Sequence, residues 1–302
     1  MRALVTGASG FVGRHLIEHL RACGDEVTGC DRADGSCDIN DRSSVAEVVG
    51  RVRPEAVYHL AGWSDVGSSW ASPVEVFRAN AEGTLNVLLA CAETGVARVL
   101  AVSSADIYGV VTEDELPLDE DAPLRPVTPY AASKVAADFL SLQSWLGRKL
   151  PVLRVRAFNH LGPGQAPQFV APALAERIAR NELTGGHEIP VGNLSPRRDF
   201  TDVRDVVRAY RLLVERGEPG MAYNVCSGKD IAVRDLAERL LAMSTRPMEL
   251  VTDPALERPV DIPVLRGDNS RLRAATGWTP QIPIDVTLAD LLDDMRKRVT
   301  PP

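Results

Sequence analysis

A doubly wound parallel α/β sheet with a smaller C-terminal α/β lobe is the fold this sequence predicts, and three observations predict it. The chain opens on a strand-like run, Ala3-Leu-Val5, that passes through the glycine turn Thr6-Gly7-Ala-Ser-Gly10-Phe-Val-Gly13 into an apolar-periodic stretch carrying Leu16, Ile17 and Leu20. Short apolar runs at 26–30, 56–60, 99–103 and 152–156 then alternate with helical patterns around 74–91 and 129–146, as parallel strands joined by crossover helices would. After Gly162-Pro-Gly164 the pattern loosens into helices around 172–180, 203–216 and 233–243, with a Gly185-Gly186 turn after the first. The 302 residues therefore divide into a sheet domain, 1–160, and a second lobe, 161–302, partly interleaved with it.

The opening strand, turn and helix suit a phosphate. Glycines let the backbone turn tightly and let a pyrophosphate approach the free amides and positive dipole end of the helix. The spacing here is G-x-x-G-x-x-G, a variant of the general dinucleotide fingerprint. The second strand, Glu26-Val-Thr-Gly-Cys30, ends at Asp31, 24 residues beyond Gly7, where a carboxylate can accept the hydroxyls of an adenosine ribose and repel a 2′-phosphate. That favours NAD, while the adjacent Arg32 guanidinium leaves NADP open. Asp38-Ile39 either meets the adenine or caps a helix. The third strand, Tyr58-His-Leu60-Ala61-Gly62, runs into a small-residue turn beside the cofactor, with His59 read as a core histidine.

Composition narrows the class. A net charge of −7 argues against a nucleic-acid surface, so an anionic nucleotide must be held by local arginines. The five cysteines, Cys23, Cys30, Cys37, Cys91 and Cys226, form no C-x-x-C pair and no metal spacing. The first residues already read as a core strand rather than a signal peptide, and no apolar run reaches about 18 residues. The expectation is a soluble, cytoplasmic enzyme with no metal and no membrane contact.

The chemistry sits at Tyr130-Ala-Ala-Ser-Lys134, which stands 26 residues after Ser104. Residues four apart on a helix share a face. An ammonium there lowers the phenol pKa from its usual value of about 10 and favours a phenolate at neutral pH. By itself the spacing also describes an ordinary helix-surface pair.

Together, the Gly7-Gly10-Gly13 turn, Asp38, the Tyr58-to-Gly62 run, Asn80, Ser103-Ser-Ala-Asp-Ile-Tyr-Gly109 and Tyr130-to-Lys134 resemble the extended short-chain dehydrogenase/reductase family that acts on nucleotide sugars. Arg156-Ala-Phe-Asn-His-Leu-Gly-Pro-Gly-Gln165, Arg198-Asp-Phe-Thr-Asp-Val-Arg-Asp205, Tyr223-Asn-Val-Cys-Ser-Gly228 and Thr276-Gly-Trp-Thr-Pro280 look most like its GDP-6-deoxy-4-keto-D-mannose reductases. The resemblance covers essentially the whole chain and implies a Rossmann-type cofactor domain. It implies catalysis by Ser104, Tyr130 and Lys134. It implies cofactor contacts from Gly7, Gly10, Phe11, Val12, Gly13, Asp31, Arg32, Asp38 and Ile39, and from Leu60, Ala61, Gly62, Asn80, Ser103 and Phe158, besides Tyr130 and Lys134.

For a nucleotide-diphosphate sugar, GDP-linked by preference, the resemblance implies Ser104, Asp106, Asn159, Val170, Arg198 and Arg258, with Arg197 able to exchange roles with its neighbour. Ala105 and Asp106 occupy the positions of the acid–base pair that eliminates water in nucleotide-sugar 4,6-dehydratases, and alanine cannot transfer a proton. The helices at 74–91 and 129–146 are either ordinary core helices or the four-helix interface of a homodimer. Three readings follow: a reductase of a 4-keto-6-deoxy nucleotide sugar, a nucleotide-sugar 4-epimerase that keeps its NAD, and a non-enzymatic cofactor-sensing protein. The intact Ser104, Tyr130 and Lys134 speak against the last, and the missing elimination pair favours the first.

Overall fold

The computed structural model describes residues 1–256 and 262–300. Its strands are β1 (Arg2–Thr6), β2 (Glu26–Cys30), β3 (Ala56–His59), β4 (Arg98–Ser104), β5 (Val152–Ala157), β6 (Asn159–Leu161), β7 (Glu188–Val191), β8 (Arg197–Asp202), β9 (Ala222–Val225), β10 (Asp230–Ala232), β11 (Glu249–Thr252) and β12 (Val264–Leu265). Its α-helices are α1 (Phe11–Ala22), α2 (Arg42–Val52), α3 (Pro73–Phe77), α4 (Gly83–Thr94), α5 (Pro129–Arg148), α6 (Val170–Thr184), α7 (Val203–Arg216), α8 (Val233–Ala242), α9 (Ser270–Thr276) and α10 (Ile284–Val299).

Six strands form one sheet in the order β2-β1-β3-β4-β5-β9, and every pair is parallel. Such strands are covered on both faces, which is why β3 reads as an unbroken apolar run and is buried at all its positions. One face packs Leu16 and Leu20 of α1 and Val206, Tyr210 and Leu213 of α7. The other packs Val45 and Val48 of α2 and Val87, Leu88 and Cys91 of α4. Each fully buried aliphatic side chain of this size contributes about 1.5–3 kcal/mol. The strand order reverses between β1 and β3, so the tips of these two strands bound the crevice where ligands bind in open α/β sheets.

The second lobe is built on β8, paired with β10, β12 and β6, and on a β7–β11 ribbon, against which α6, α8 and α10 bury a separate core. β9 leaves this half of the chain to become the edge strand of the large sheet, and α7 packs on α1. The helical pattern at 74–91 is two helices, α3 and α4, joined by a wide π turn over Arg78–Glu82 that contains Asn80. Buried charges anchor α5: Asp138 accepts from Arg154 (2.6 Å) and Arg156 (3.3 Å), and Arg156 also donates to the Tyr108 hydroxyl (3.1 Å). This fixes α5 against β5 and the turn after β4. Removing one partner of such a buried pair typically costs about 3–5 kcal/mol.

Candidate active site

A cavity of about 710 Å³ opens at the tips of β1, β3 and β4 and extends between the sheet domain and the second lobe. At its floor the glycine turn is sterically specified. A Cβ on Gly13 would lie 2.1 Å from the Gly7 carbonyl oxygen, and one on Gly7, at φ +74°, would lie 2.7 Å from the Ala61 amide. The N-terminus of α1 is capped by Gly10 with no side-chain hydrogen bond and has no acidic residue in its first turn. Free amides, no room for a side chain and no competing carboxylate suit the pyrophosphate of a dinucleotide. Gly10, Phe11 and Val12 border the cavity with them.

Asp31, at the tip of β2, accepts hydrogen bonds from the Ser9 amide (3.0 Å) and the Ala33 amide (2.9 Å), which ties it to the glycine turn. Arg32, Asp38 and Ile39 stand beside it on the cavity wall, and Leu60, Ala61 and Gly62 close the opposite side. The helix cap of α2 is Asp41, which accepts from the Ser43 amide, whereas Asp38 holds the Asn40 amide (2.9 Å). His59 is a core residue, bonded to Thr6 (2.8 Å) and Thr84 (3.0 Å), and burial pushes its pKa down to about 3. Asn80 does not line the cavity: its amide is spent on the Trp63 backbone (2.7 and 3.2 Å) and the Ser133 hydroxyl (2.9 Å), pinning the 62–63 turn to α5.

The reactive end is assembled from β4 and α5. Thr128 caps α5 by accepting from the Ala131 amide, and Pro129 follows at the first helical position, so Tyr130 enters the cavity in the first turn with Lys134 one turn behind. The Ser133 hydroxyl holds the Tyr130 carbonyl (2.6 Å), and Ser103 donates to the Lys134 carbonyl (3.2 Å). The Ser104 hydroxyl lies against the Tyr130 phenol and accepts from the Asp106 amide (3.2 Å), while Ala105 and Asp106 flank it.

The electrostatics differ from the phenolate expected from the Tyr-x-x-x-Lys spacing. Burial raises the Tyr130 pKa above the ordinary phenol value, the Asp106 carboxylate raises it further, and only the Ser104 hydrogen bond opposes them. Lys134 turns its ammonium to the Val102 carbonyl (2.8 Å), and burial lowers its own pKa to about 8. Burial and Asp106 thus favour the neutral phenol. Shared helix face and shared side-chain target are different things, and the β4 carbonyl captures the lysine.

Phe158, Asn159, Val170 and Arg198 border the far part of the cavity. Alternation along β8 separates the two arginines: Arg197 pairs with Asp230 (2.5 Å) and Glu113 (3.3 Å), away from the cavity. Arg258 lies outside the described residues. Several cavity residues were not singled out from the sequence. The Gln165 side chain, on a residue 6% exposed, donates to the His160 carbonyl (3.2 Å) and leaves its amide oxygen Oε1 without a partner among the described residues. Tyr210 of α7 also reaches the cavity with a buried hydroxyl that has no hydrogen-bond partner among the described residues. Gln165 closes a motif already in view; Tyr210 sits in an ordinary amphipathic helix and gives no local signal.

The family model described as GDP-mannose 4,6 dehydratase matches residues 4–291. The chain is 39% identical over 300 residues to the GDP-6-deoxy-D-mannose reductase of Pseudomonas aeruginosa, covering 99% of this chain and 98% of that protein. The solved structure of RMD from Pseudomonas aeruginosa complexed with NADPH superposes with a TM-score of 0.91 at 38% identity, covering 99% of each chain. The Thermus thermophilus UDP-glucose 4-epimerase complex with NAD gives a TM-score of 0.89 at 30% identity, covering 99% of this chain and 100% of that one. Variant glycine turn, Ser-Tyr-Lys arrangement and full-length likeness converge: the chain belongs to the GDP-mannose 4,6-dehydratase family of extended short-chain dehydrogenase/reductases.

Proposed function

We propose that this protein reduces the C4 ketone of a 4-keto-6-deoxy nucleotide sugar, GDP-linked by preference, to the 6-deoxy sugar. A reduced nicotinamide dinucleotide, bound along the glycine turn, supplies the hydride. The observation that carries the reading is the placement of the buried Tyr130 phenol against the Ser104 hydroxyl in the cavity, with Ala105 beside them. A ketone that accepts hydride at carbon needs a proton at oxygen, and a neutral phenol is the form that donates it. Ser104 would hydrogen-bond the same oxygen, and Lys134, held by the Val102 carbonyl (2.8 Å), would meet the nicotinamide ribose. Ala105 supports reduction over dehydration, since the elimination of water across C5 and C6 lacks a proton-transferring group there.

Substrate binding falls mostly to the second lobe, 161–302, with Arg198 pairing the diphosphate and Val170 near the base, joined by Asn159 at the end of the sheet domain meeting the sugar-diphosphate; a forked guanidinium suits a diphosphate better than an ammonium. Ser103 and Phe158 would meet the nicotinamide end. The protein acts in the cytoplasm as a homodimer. Trp70, Phe77 of α3, and Phe139 and Leu146 of α5 are large exposed apolar side chains that support a shared helical interface.

The 4-epimerase is the second reading, favoured by Asp31, whose carboxylate suits NAD. One experiment separates them. The protein is incubated with GDP-4-keto-6-deoxy-mannose and with saturated UDP- and GDP-hexoses, and product mass is followed with nicotinamide absorbance. One reduced cofactor consumed per product, with a gain of two hydrogens, is expected. An isomer of unchanged mass would replace the reductase with the epimerase, and a product lighter by one water would overturn the account of Ala105.

A further inference from the structure

Cys30, the last residue of β2, and Cys37, in the turn that follows, meet at the Asp31 end of the cavity. Both border it, and both are nearly buried, at 2% and 4% exposure. The Ser36 and Cys37 amides donate to the same Asp31 carbonyl (3.1 and 3.2 Å), folding the turn back so that the second thiol lies against the first. The Cys30 carbonyl in turn receives the Gly7 amide (3.0 Å) and the Ala8 amide (3.3 Å). The pair is therefore joined by backbone to both the glycine turn and Asp31.

We infer that Cys30 and Cys37 form an oxidant-responsive pair, which a hydroperoxide converts to an intramolecular disulfide that weakens dinucleotide binding. The second half of this inference rests on the dinucleotide reading of the cavity; the disulfide does not. The two thiols differ in the way such chemistry needs. Hydrogen bonds from Cys30 and Ser44 to the Cys37 thiol lower its pKa against the opposing effect of burial, whereas the same contact and burial raise Cys30. Cys37 is the nucleophile: its thiolate attacks one peroxide oxygen, the S–O bond forms as the O–O bond breaks, and the departing alkoxide or hydroxide takes up a proton. Cys30 then attacks the sulfenic sulfur, forming the S–S bond as the S–O bond breaks, and its proton leaves with the hydroxide as water. Two electrons pass from the two sulfurs to the peroxide.

Residues 32–35 of the turn are exposed and can follow the sulfurs as they close. Asp31 accepts the Cys37 amide and, with Arg32, lines the cavity at the root of the same turn, which gives the crosslink a route to the cofactor site. Cys91 provides an internal contrast, since burial pushes its pKa up to about 12 and it does not border the cavity.

The test uses the full chain with Cys23→Ser, which removes the exposed cysteine and its intermolecular crosslinks. Treatment with hydrogen peroxide should give a peptide linking residues 30 and 37 that is lighter by two hydrogens. Saturating NADH or NADPH should slow its formation about tenfold, because the thiols border the occupied cavity. The oxidised protein should bind the reduced dinucleotide at least about tenfold more weakly, by fluorescence titration, and a dithiol should restore binding. Cys37→Ser and Cys30→Ser, each compared with its own untreated form, should lose this response. Sulfinic or sulfonic acid at Cys37 without a crosslink would overturn the inference, as would a crosslink that leaves affinity unchanged. A reduced protein that binds neither dinucleotide would instead defeat the reading of the cavity, while the crosslink would remain measurable by mass.

Discussion

Replacing Lys134 by methionine should make the fold more stable at neutral pH while removing activity. Lys134 is 9% exposed and its pKa is lowered by burial from 10.5 to about 8, which corresponds to about 3 kcal/mol of cost for keeping the charged form inside the protein. Methionine keeps an unbranched stem of similar volume and loses the hydrogen bond to the Val102 carbonyl, worth about 1 kcal/mol. The net gain expected at pH 7 is about 2 kcal/mol, enough to move the melting temperature by a few degrees.

The pH dependence identifies the cause. Below about pH 8 the lysine holds its proton in both folded and unfolded chains, so folding bears the full cost of the buried charge. Between about 8 and 10.5 only the unfolded chain holds the proton, and the stability of the parent rises with pH by up to about 1.4 kcal/mol per unit. Above that window both states are neutral and the cost is gone. Thermal unfolding of parent and variant at several pH values from about 7 to 10.5 should show the variant's advantage shrinking as pH rises. A variant less stable than its parent at pH 7, or a difference that ignores pH, would refute the reasoning.

Three further outcomes follow from the same cavity. Tyr130→Phe should lower kcat by about 10² to 10⁴ while changing dinucleotide affinity less than about threefold, because only the proton-donating hydroxyl is lost; retention of more than about a tenth of kcat would remove Tyr130 from its role. The unmodified protein should bind NADH more tightly than NADPH, and Asp31→Ala should relax that preference; tighter NADPH binding by the parent in a fluorescence titration would mean that Arg32 governs the site. Gln165→Met should weaken sugar-nucleotide or dinucleotide binding about five- to tenfold while costing at most about 1 kcal/mol of stability, since the side-chain amide oxygen it removes has no partner among the described residues and only the bond to the His160 carbonyl is lost; a larger loss of stability with unchanged KM would make Gln165 structural.

Residues close together in the chain made much of the molecule legible. Glycine spacing, apolar periodicity and the Thr128-Pro129 start of a helix act over a few residues, so β1, the glycine turn, α1 and α5 could be read directly, and α7 spans the helix expected at 203–216. The wide π turn at 78–82 was hidden because its cause is distant: Asn80 is drawn to the Trp63 backbone and to Ser133 of α5. For the same reason Asn80 stays in the core instead of reaching the cavity.

What the amino-acid sequence determined by itself is which chemical groups are present and how local runs fold: a glycine turn, a carboxylate at the tip of β2, a serine after a buried strand, and a tyrosine and lysine on one helix face. Only the tertiary structure decided their states and pairings. It put Arg197 and Arg198 on opposite faces of β8, brought Cys37 back onto Cys30, and gave Tyr210 a place at the cavity. It also biased Tyr130 toward the neutral phenol, because a pKa depends on burial and on which partner captures the nearby ammonium, and here the Val102 carbonyl does. Spacing along a helix determines only which residues share a face; the rest of the fold determines what that face meets.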